Sequence, residues 1–319
     1  MDRALASGAK GRGFDSRPAR QIFFVMNFNR ISFIILFLLL ASPTLSAYLN
    51  VDTYDEYVAA RRLLAVDREK GEVPRVFIRA IPQKIKELEG IERRRFFIDL
   101  ILPIILAENE KIEAEHDAVM AAVKRDERSE ADIRLINETA KKYNLIKEED
   151  DFLTISDEKR EAVVYLLDMN IRPVPPAIAL GQAALESAWG TSRFTFEGNN
   201  LFGHVSKDPS KGLKPKNWSG TQRHIYIFDS ITASISAYML NLNRNRAYRK
   251  FRLFRQQDPK NLMKMAEGFD RYAIIKELYV GRLQTVMFKY GTHRYNDAKL
   301  AEPGVAGMIG GLKQVYITN

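Results

Sequence analysis

The fold of this chain is decided by residues 175–203, which read PPAIALGQAALESAWGTSRFTFEGNNLFG. Proline is well tolerated at the first position of a helix, so a helix is expected to begin there. The residues that follow are small and apolar as far as Ser187, and they predict a helix packed closely against other helices. The pair Trp189-Gly190 ends this helix, and residues 198–200 (GNN) are a turn signal. A buried helix followed by a turn is therefore expected here.

Glu186 is the outstanding polar residue of this helix, because it lies near the C-terminal end of an otherwise apolar stretch. Burial disfavours a charged carboxylate, and so does the negative end of the helix dipole. Both effects raise the pKa of Glu186, which suits a general acid at neutral pH. Gln182 lies on the same face and could hydrogen-bond Glu186 or a substrate. The alternative is a structural carboxylate paired with a base such as Arg193, which is the commoner case for an isolated acid.

The rest of residues 151–319 predicts further helices and a small β-rich insertion. Ser156 can cap a helix that runs to Met169, and Asp229 or Ser230 can cap a helix over residues 231–243. Helices are also expected near residues 262–267 and 273–290. Residues 224–228 (HIYIF) have the composition of a strand in a hairpin. The predicted fold class is therefore mainly α, with a small β-rich insertion.

Residues 1–47 are expected to be a leader. The uninterrupted apolar run of residues 33–41 follows Arg30 and precedes small residues up to Ala47, which is the pattern of a secretory signal peptide. A transmembrane anchor needs about 20 apolar residues, so an uncleaved anchor is the less favoured alternative. Residues 1–25 are rich in Gly and Arg, and one hypothesis is that translation begins at Met26. The sequence thus predicts an exported protein.

Residues 48–150 are predicted to form a helical accessory region. The segment from residue 54 to about residue 145 is polar-rich and helical in pattern. Residues 96–106 are apolar on nearly every side, which predicts a buried helix. Pro103 is expected to kink this helix or to begin a new one. The accessory region is expected to pack on the unit of residues 151–319.

The composition excludes several kinds of site. The chain has no cysteine, so it has no disulfide, no thiolate zinc site, no iron–sulfur cluster and no cysteine nucleophile. Its four histidines form no i, i+4 pair, so neither a metal nor a cofactor is predicted.

The basic charge of the chain is concentrated in its C-terminal half. The formal charge of +9 divides into +4 for residues 1–47, −4 for residues 48–150 and +9 for residues 151–319. Nucleic acid is one partner of basic proteins, but export argues against it. The arginines of residues 244–255 are interpreted as a solvated helix face, or as an attraction for an anionic cell-wall polymer.

A longer motif points to a known family. Residues 182–194 and then 198–203 closely resemble the signature of bacterial peptidoglycan N-acetylglucosaminidases, the family of flagellar-rod muramidase-like and autolysin glucosaminidase domains. Other features resemble the Bax-type subgroup of this family, namely Leu102-Pro103, Glu108-Asn109-Glu110, residues 236–243 and Tyr248. The resemblance covers most of residues 75–290.

The resemblance implies a lysozyme-like α+β fold with a groove between two lobes. It also implies cleavage of the β-1,4 bond after N-acetylglucosamine in peptidoglycan, by a protein of the periplasm or cell envelope that touches the envelope peripherally. Glu186 takes the position of the family's catalytic acid, and Tyr272 or Tyr279 that of an aromatic residue in the glycan groove. The other residues expected to contact the glycan are Gln182, Trp189, Asn200, Phe202 and Tyr226. For some of them the alternative is a role in core packing.

The second catalytic group is less evident than the acid. Most glycosidases use two carboxylates, and several relatives carry the second on a hairpin after the Asn-Asn-Leu-Phe-Gly segment. Asp208 is the candidate there, although its place among lysines in a loop is typical of a solvated residue. Assistance by the substrate's 2-acetamido group would replace it. The alternative functions are a lytic transglycosylase, whose usual Gly-Leu-Met-Gln segment is missing, and a glycan-binding scaffold without turnover.

Overall fold

The computed structural model describes residues 49–63, 71–206, 208, 210, 212–215, 224–272 and 276–302. The predicted signal peptide and the proposed start at Met26 lie outside these residues. Within them the chain is mainly helical with a few short strands, which confirms the predicted fold class. No helix in this part of the chain has the length and apolar character needed to cross a membrane.

The helices predicted for residues 151–319 are present in the expected order, and further helices precede residue 151. They are α1 (Tyr54–Leu63), α2 (Gly90–Lys124), α3 (Glu130–Lys142), α4 (Asp157–Asn170), α5 (Pro176–Glu186), α6 (Arg193–Gly198), α7 (Ile231–Arg244), α8 (Arg249–Gln257), α9 (Leu262–Glu267) and α10 (Lys276–Phe288). Ser156 caps α4, and Ser230 rather than Asp229 caps α7.

Helix α5 is buried along nearly its whole length. Each of its first nine residues, from Pro176 to Ala184, is buried. Small side chains allow the neighbouring helices to approach closely. A Cβ atom added at Gly181 would lie 3.0 Å from Leu283 Cδ1 and 3.1 Å from Met287 Cγ, both on α10. The predicted close packing of this helix is therefore confirmed.

Helix α2 packs against α5 and passes through Pro103 without a break, so the alternative of a new helix starting there is wrong. A proline inside a helix cannot donate a hydrogen bond to the carbonyl four residues earlier. In α2 that carbonyl belongs to Asp99, and it accepts a hydrogen bond of 2.6 Å from the Tyr57 hydroxyl. A side chain of α1 therefore replaces the missing backbone donor, and the helix continues.

In the part of the chain that the structure describes, short strands form three small sheets. β1 (Leu49–Val51) pairs in parallel with β3 (Val76–Ile78), and β2 (Glu72–Val73) pairs in parallel with β7 (Lys299–Leu300). These pairs interrupt the stretch predicted to be helical from residue 54, because Pro74 disfavours a helix and the residues after it are β-formers. The predicted insertion is an antiparallel sheet of β4 (Val205–Ser206), β6 (His224–Tyr226) and β5 (Gly212–Leu213), in that order.

Two arginines of the basic band are buried, so the prediction of a solvated face is wrong for them. Arg255 donates to the carbonyls of Met169 and Asn170 at the end of α4, and Arg252 donates to the carbonyl of Leu242 near the end of α7. The last carbonyls of a helix lack helical partners, which is why buried cations are stable there. The exposed bases of this band are Arg244, Arg246 and Arg249.

We expect Tyr57→Phe to destabilise the fold by about 1 kcal/mol, because it leaves the Asp99 carbonyl without its side-chain donor. Pro103→Ala restores a backbone N–H for the same carbonyl, so the cost of Tyr57→Phe should be smaller in that background. Urea unfolding of the wild type, both single variants and the double variant measures this coupling. Equal costs of Tyr57→Phe in the two backgrounds would show that the tyrosine does not replace the backbone bond.

Candidate active site

Glu186 is the last residue of α5, so a buried helix delivers its carboxyl group to the edge of the core. The side chain is half-buried. Burial raises the pKa of Glu186, and a smaller opposing effect comes from a hydrogen bond with Tyr279. The direction agrees with the expectation from sequence. A carboxyl group of this kind keeps its proton to higher pH than an exposed one.

A chain of hydrogen bonds ends on this carboxyl group. The Tyr238 hydroxyl donates to Gln182 Oε1, and Gln182 Nε2 donates to the Tyr279 hydroxyl over 2.8 Å. Tyr279 in turn hydrogen-bonds Glu186. Gln182 is fully buried, and its amide binds the two tyrosines and thereby holds Tyr279 beside Glu186. Contact between Gln182 and a glycan stays a prediction.

Four tyrosines surround Glu186. The rings of Tyr272 and Tyr279 stack with centroids 4.9 Å apart, and Tyr248 lies 5.9 Å from Tyr272. Burial raises the pKa of these tyrosines and of Tyr238, so their hydroxyls keep their protons at neutral pH. The family resemblance suggested Tyr272 or Tyr279 as the aromatic residue of the glycan groove, and the structure places both near Glu186. Tyr238 and Tyr248 were not predicted as site residues, because only the fold turns them toward α5.

Two other residues predicted to contact the glycan, Asn200 and Phe202, are buried and contact other parts of the protein. Asn200 is buried and donates to the carbonyls of His204 and Tyr226, so it holds the base of the three-stranded sheet. Phe202 is buried and stacks on Tyr238 with centroids 3.8 Å apart. Core packing is thus the better interpretation of Phe202.

The remaining aromatic candidates keep part of their surface exposed. Trp189 is half-buried, with its ring edge-on to Phe97 at 5.8 Å and to Tyr290 at 6.1 Å. Tyr226 is half-buried on β6, and its ring is tilted against Phe228 at 4.7 Å. Both can therefore offer a ring edge or face to a sugar.

The other carboxylates near the motif make local contacts. Asp208 is exposed between β4 and β5 and accepts hydrogen bonds from the backbone and hydroxyl of Ser210. Arg193, the suggested partner of Glu186, instead pairs with Glu197 at 2.8 Å. Within the described part of the chain, no three histidines or acids come close enough together to hold a metal ion.

Residues 165–292 match the family model described as mannosyl-glycoprotein endo-beta-N-acetylglucosaminidase. The matched range contains Glu186, all four tyrosines around it and the three-stranded sheet. This part of the chain is therefore similar to domains of that family.

A curated relative refines this class. The chain is 29% identical over 180 residues to Protein bax of Escherichia coli (strain K12), which covers 56% of this chain and 61% of that protein. The chain thus spans about three fifths of the relative's length. No solved structure matches the chain.

The raised pKa of Glu186 has a consequence for stability. The folded state favours the protonated form of Glu186. Its contribution to the free energy of unfolding is therefore largest below the unfolded pKa of about 4.3, and it is lost as the pH rises through the pKa of the folded state. We therefore expect Glu186→Gln to raise the melting temperature at pH 7, with a gain that shrinks as the pH falls toward 4. Calorimetry at several pH values measures this gain. The exposed Glu197→Gln variant is the control, and an equal gain there would contradict the explanation.

Proposed function

We propose that the protein is an exported peptidoglycan hydrolase that cleaves the β-1,4 bond after N-acetylglucosamine. The observation that carries the proposal is Glu186, a half-buried carboxyl group with a raised pKa, in a glucosaminidase-family domain. The predicted leader and the relation to a Bax-type domain favour the periplasm or cell envelope as its location. Its partner is the glycan strand of peptidoglycan, with peripheral contact to the envelope.

Glu186 acts as the general acid. The Tyr279 hydroxyl donates to one carboxyl oxygen, so the proton resides on the other oxygen, which is left to face the glycosidic bond. As the bond between C1 and the leaving oxygen breaks, that oxygen takes the proton from Glu186. The tyrosine hydroxyls stay neutral, so they orient the acid without adding a charge beside it.

The positive charge that develops at C1 needs a partner on the opposite face of the sugar. Asp208 is exposed and already accepts two hydrogen bonds from Ser210. The 2-acetamido group of the substrate fits this role better, since its carbonyl oxygen can bond to C1 and water can then open the intermediate. That water returns a proton to Glu186 and completes the hydrolysis.

The aromatic and basic side chains suit a long sugar polymer. Tyr272 and Tyr226 keep part of their surface exposed and can stack against sugar rings, whereas the buried Tyr279 orients Glu186. The exposed bases Arg244, Arg246 and Arg249 add a positive surface on the same domain, which favours an anionic wall polymer.

We expect Glu186→Gln to lower the hydrolysis of purified peptidoglycan by about 100-fold or more, because general acid catalysis contributes that much to such reactions. Glu197 is an exposed acid on the next helix, α6, so Glu197→Gln is the matched control and should retain activity. Mass spectrometry of the products should show reducing N-acetylglucosamine ends. Unchanged activity in Glu186→Gln would mean that another group is the acid.

The products also separate the alternative functions. Anhydro-muramyl ends would identify a lytic transglycosylase, and binding of glycan without any product would identify a scaffold. Asp208→Asn should keep turnover within about threefold of the wild type if the 2-acetamido group assists the reaction. A loss as large as that of Glu186→Gln would instead make Asp208 the second catalytic acid.

A further inference from the structure

The turn directly after Glu186 has an unusual backbone. Three consecutive residues, Ala188, Trp189 and Gly190, have φ angles of 49°, 57° and 81°. The left-handed region is disfavoured for residues with a Cβ atom. Such residues persist where the surrounding structure determines their conformation. The contacts around this turn therefore decide where the end of α5 lies.

Part of the support comes from within the motif. Ser187 is fully buried, and its hydroxyl donates to the Ala183 carbonyl and accepts from the Gly190 N–H at 2.9 Å. The Trp189 N–H donates to the Ala184 carbonyl over 2.8 Å. These bonds tie the turn to the last turn of α5.

The rest of the support comes from outside the family domain. A Cβ atom at Gly190 would lie 2.9 Å from Ile85 Cδ1 and 3.0 Å from Phe97 Cδ2. The ring of Trp189 lies edge-on to the same Phe97. Ile85 and Phe97 are fully buried, and both precede the matched residues 165–292. The turn is therefore packed directly against the N-terminal region.

We propose that Phe97 and Ile85 are positioning residues for Glu186, which hold the turn of residues 188–190 and thereby keep the carboxyl group half-buried beside Tyr279. This inference rests on Glu186 being the catalytic acid. It gives the predicted accessory region a part in catalysis, although no residue of it need touch the substrate.

Phe97 is the sharper probe of this role. It is fully buried and has no exposed surface to offer a glycan, whereas part of the Trp189 side chain is exposed. Phe97→Leu keeps an apolar side chain but removes the ring that packs against Trp189 and Gly190. Phe152→Leu is the matched control, because Phe152 is equally buried but belongs to a separate cluster that α2 forms with α3 and α4.

We expect Phe97→Leu to lower kcat by about tenfold or more, with KM for soluble glycan strands within about twofold of the wild type. The loss of kcat at high pH, which follows deprotonation of the acid, should move to lower pH because Glu186 becomes better solvated. Ile85→Val should lower kcat and shift the pH of its loss in the same direction, by smaller amounts. Phe152→Leu should lower the melting temperature about as much as Phe97→Leu does, but it should change neither kcat nor its pH profile.

A spectroscopic measurement separates this inference from the proposed reaction. The chain has two tryptophans, Trp189 and Trp218, so Trp218→Phe leaves Trp189 as the sole indole fluorophore. In that background Phe97→Leu should shift the Trp189 emission to longer wavelength, and Phe152→Leu should not. If Glu186→Gln is fully active, the proposed acid is wrong while the emission still reports the turn. If Phe97→Leu matches Phe152→Leu in kcat, pH profile and emission, the positioning role is overturned.

Discussion

The close packing of α5 is the constraint on which the site depends. Its small residues let α2 and α10 approach so nearly that Gln182 has no access to solvent. A buried amide must find hydrogen-bond partners inside the protein, and Gln182 finds them in Tyr238 and Tyr279. The orientation of Tyr279 beside Glu186 therefore follows from the packing of the helix that carries both Gln182 and the acid.

Two opposing effects set the proton affinity of Glu186. Burial favours the neutral carboxyl group, and the hydrogen bond from Tyr279 favours the carboxylate. Burial is the larger effect, so the net direction suits an acid. The Tyr279 bond also orients the group, which burial alone would not do. The neighbouring tyrosines provide donors without charge, and a lysine or arginine in their place would have favoured the carboxylate and removed the acid from its working form.

The sequence predicted those parts of the fold and site whose signals are local. Helix α5, the position of Glu186 at its end and the cap at Ser230 all follow from short stretches of chain. The continuity of α2 through Pro103 could not be predicted, because it depends on Tyr57, far away in sequence. The burial of Arg252 and Arg255 depends in the same way on the ends of α4 and α7. Tyr238 and Tyr248 meet Glu186 only through the fold, while the leader and the role of Asp208 stay predictions.

The family match covers residues 165–292, but part of the packing around the end of α5 comes from residues before that range. One apolar cluster contains Ile85 and Phe97 together with residues of α5, α7 and α10, so the N-terminal region and the family domain share a core. The strained turn after Glu186 lies where these two parts meet. Left-handed residues persist where the surrounding structure determines their conformation, and part of that support here comes from residues before position 165. The position of the Glu186 carboxyl group is thus a property of the larger folded unit, to which the N-terminal region contributes part of the packing.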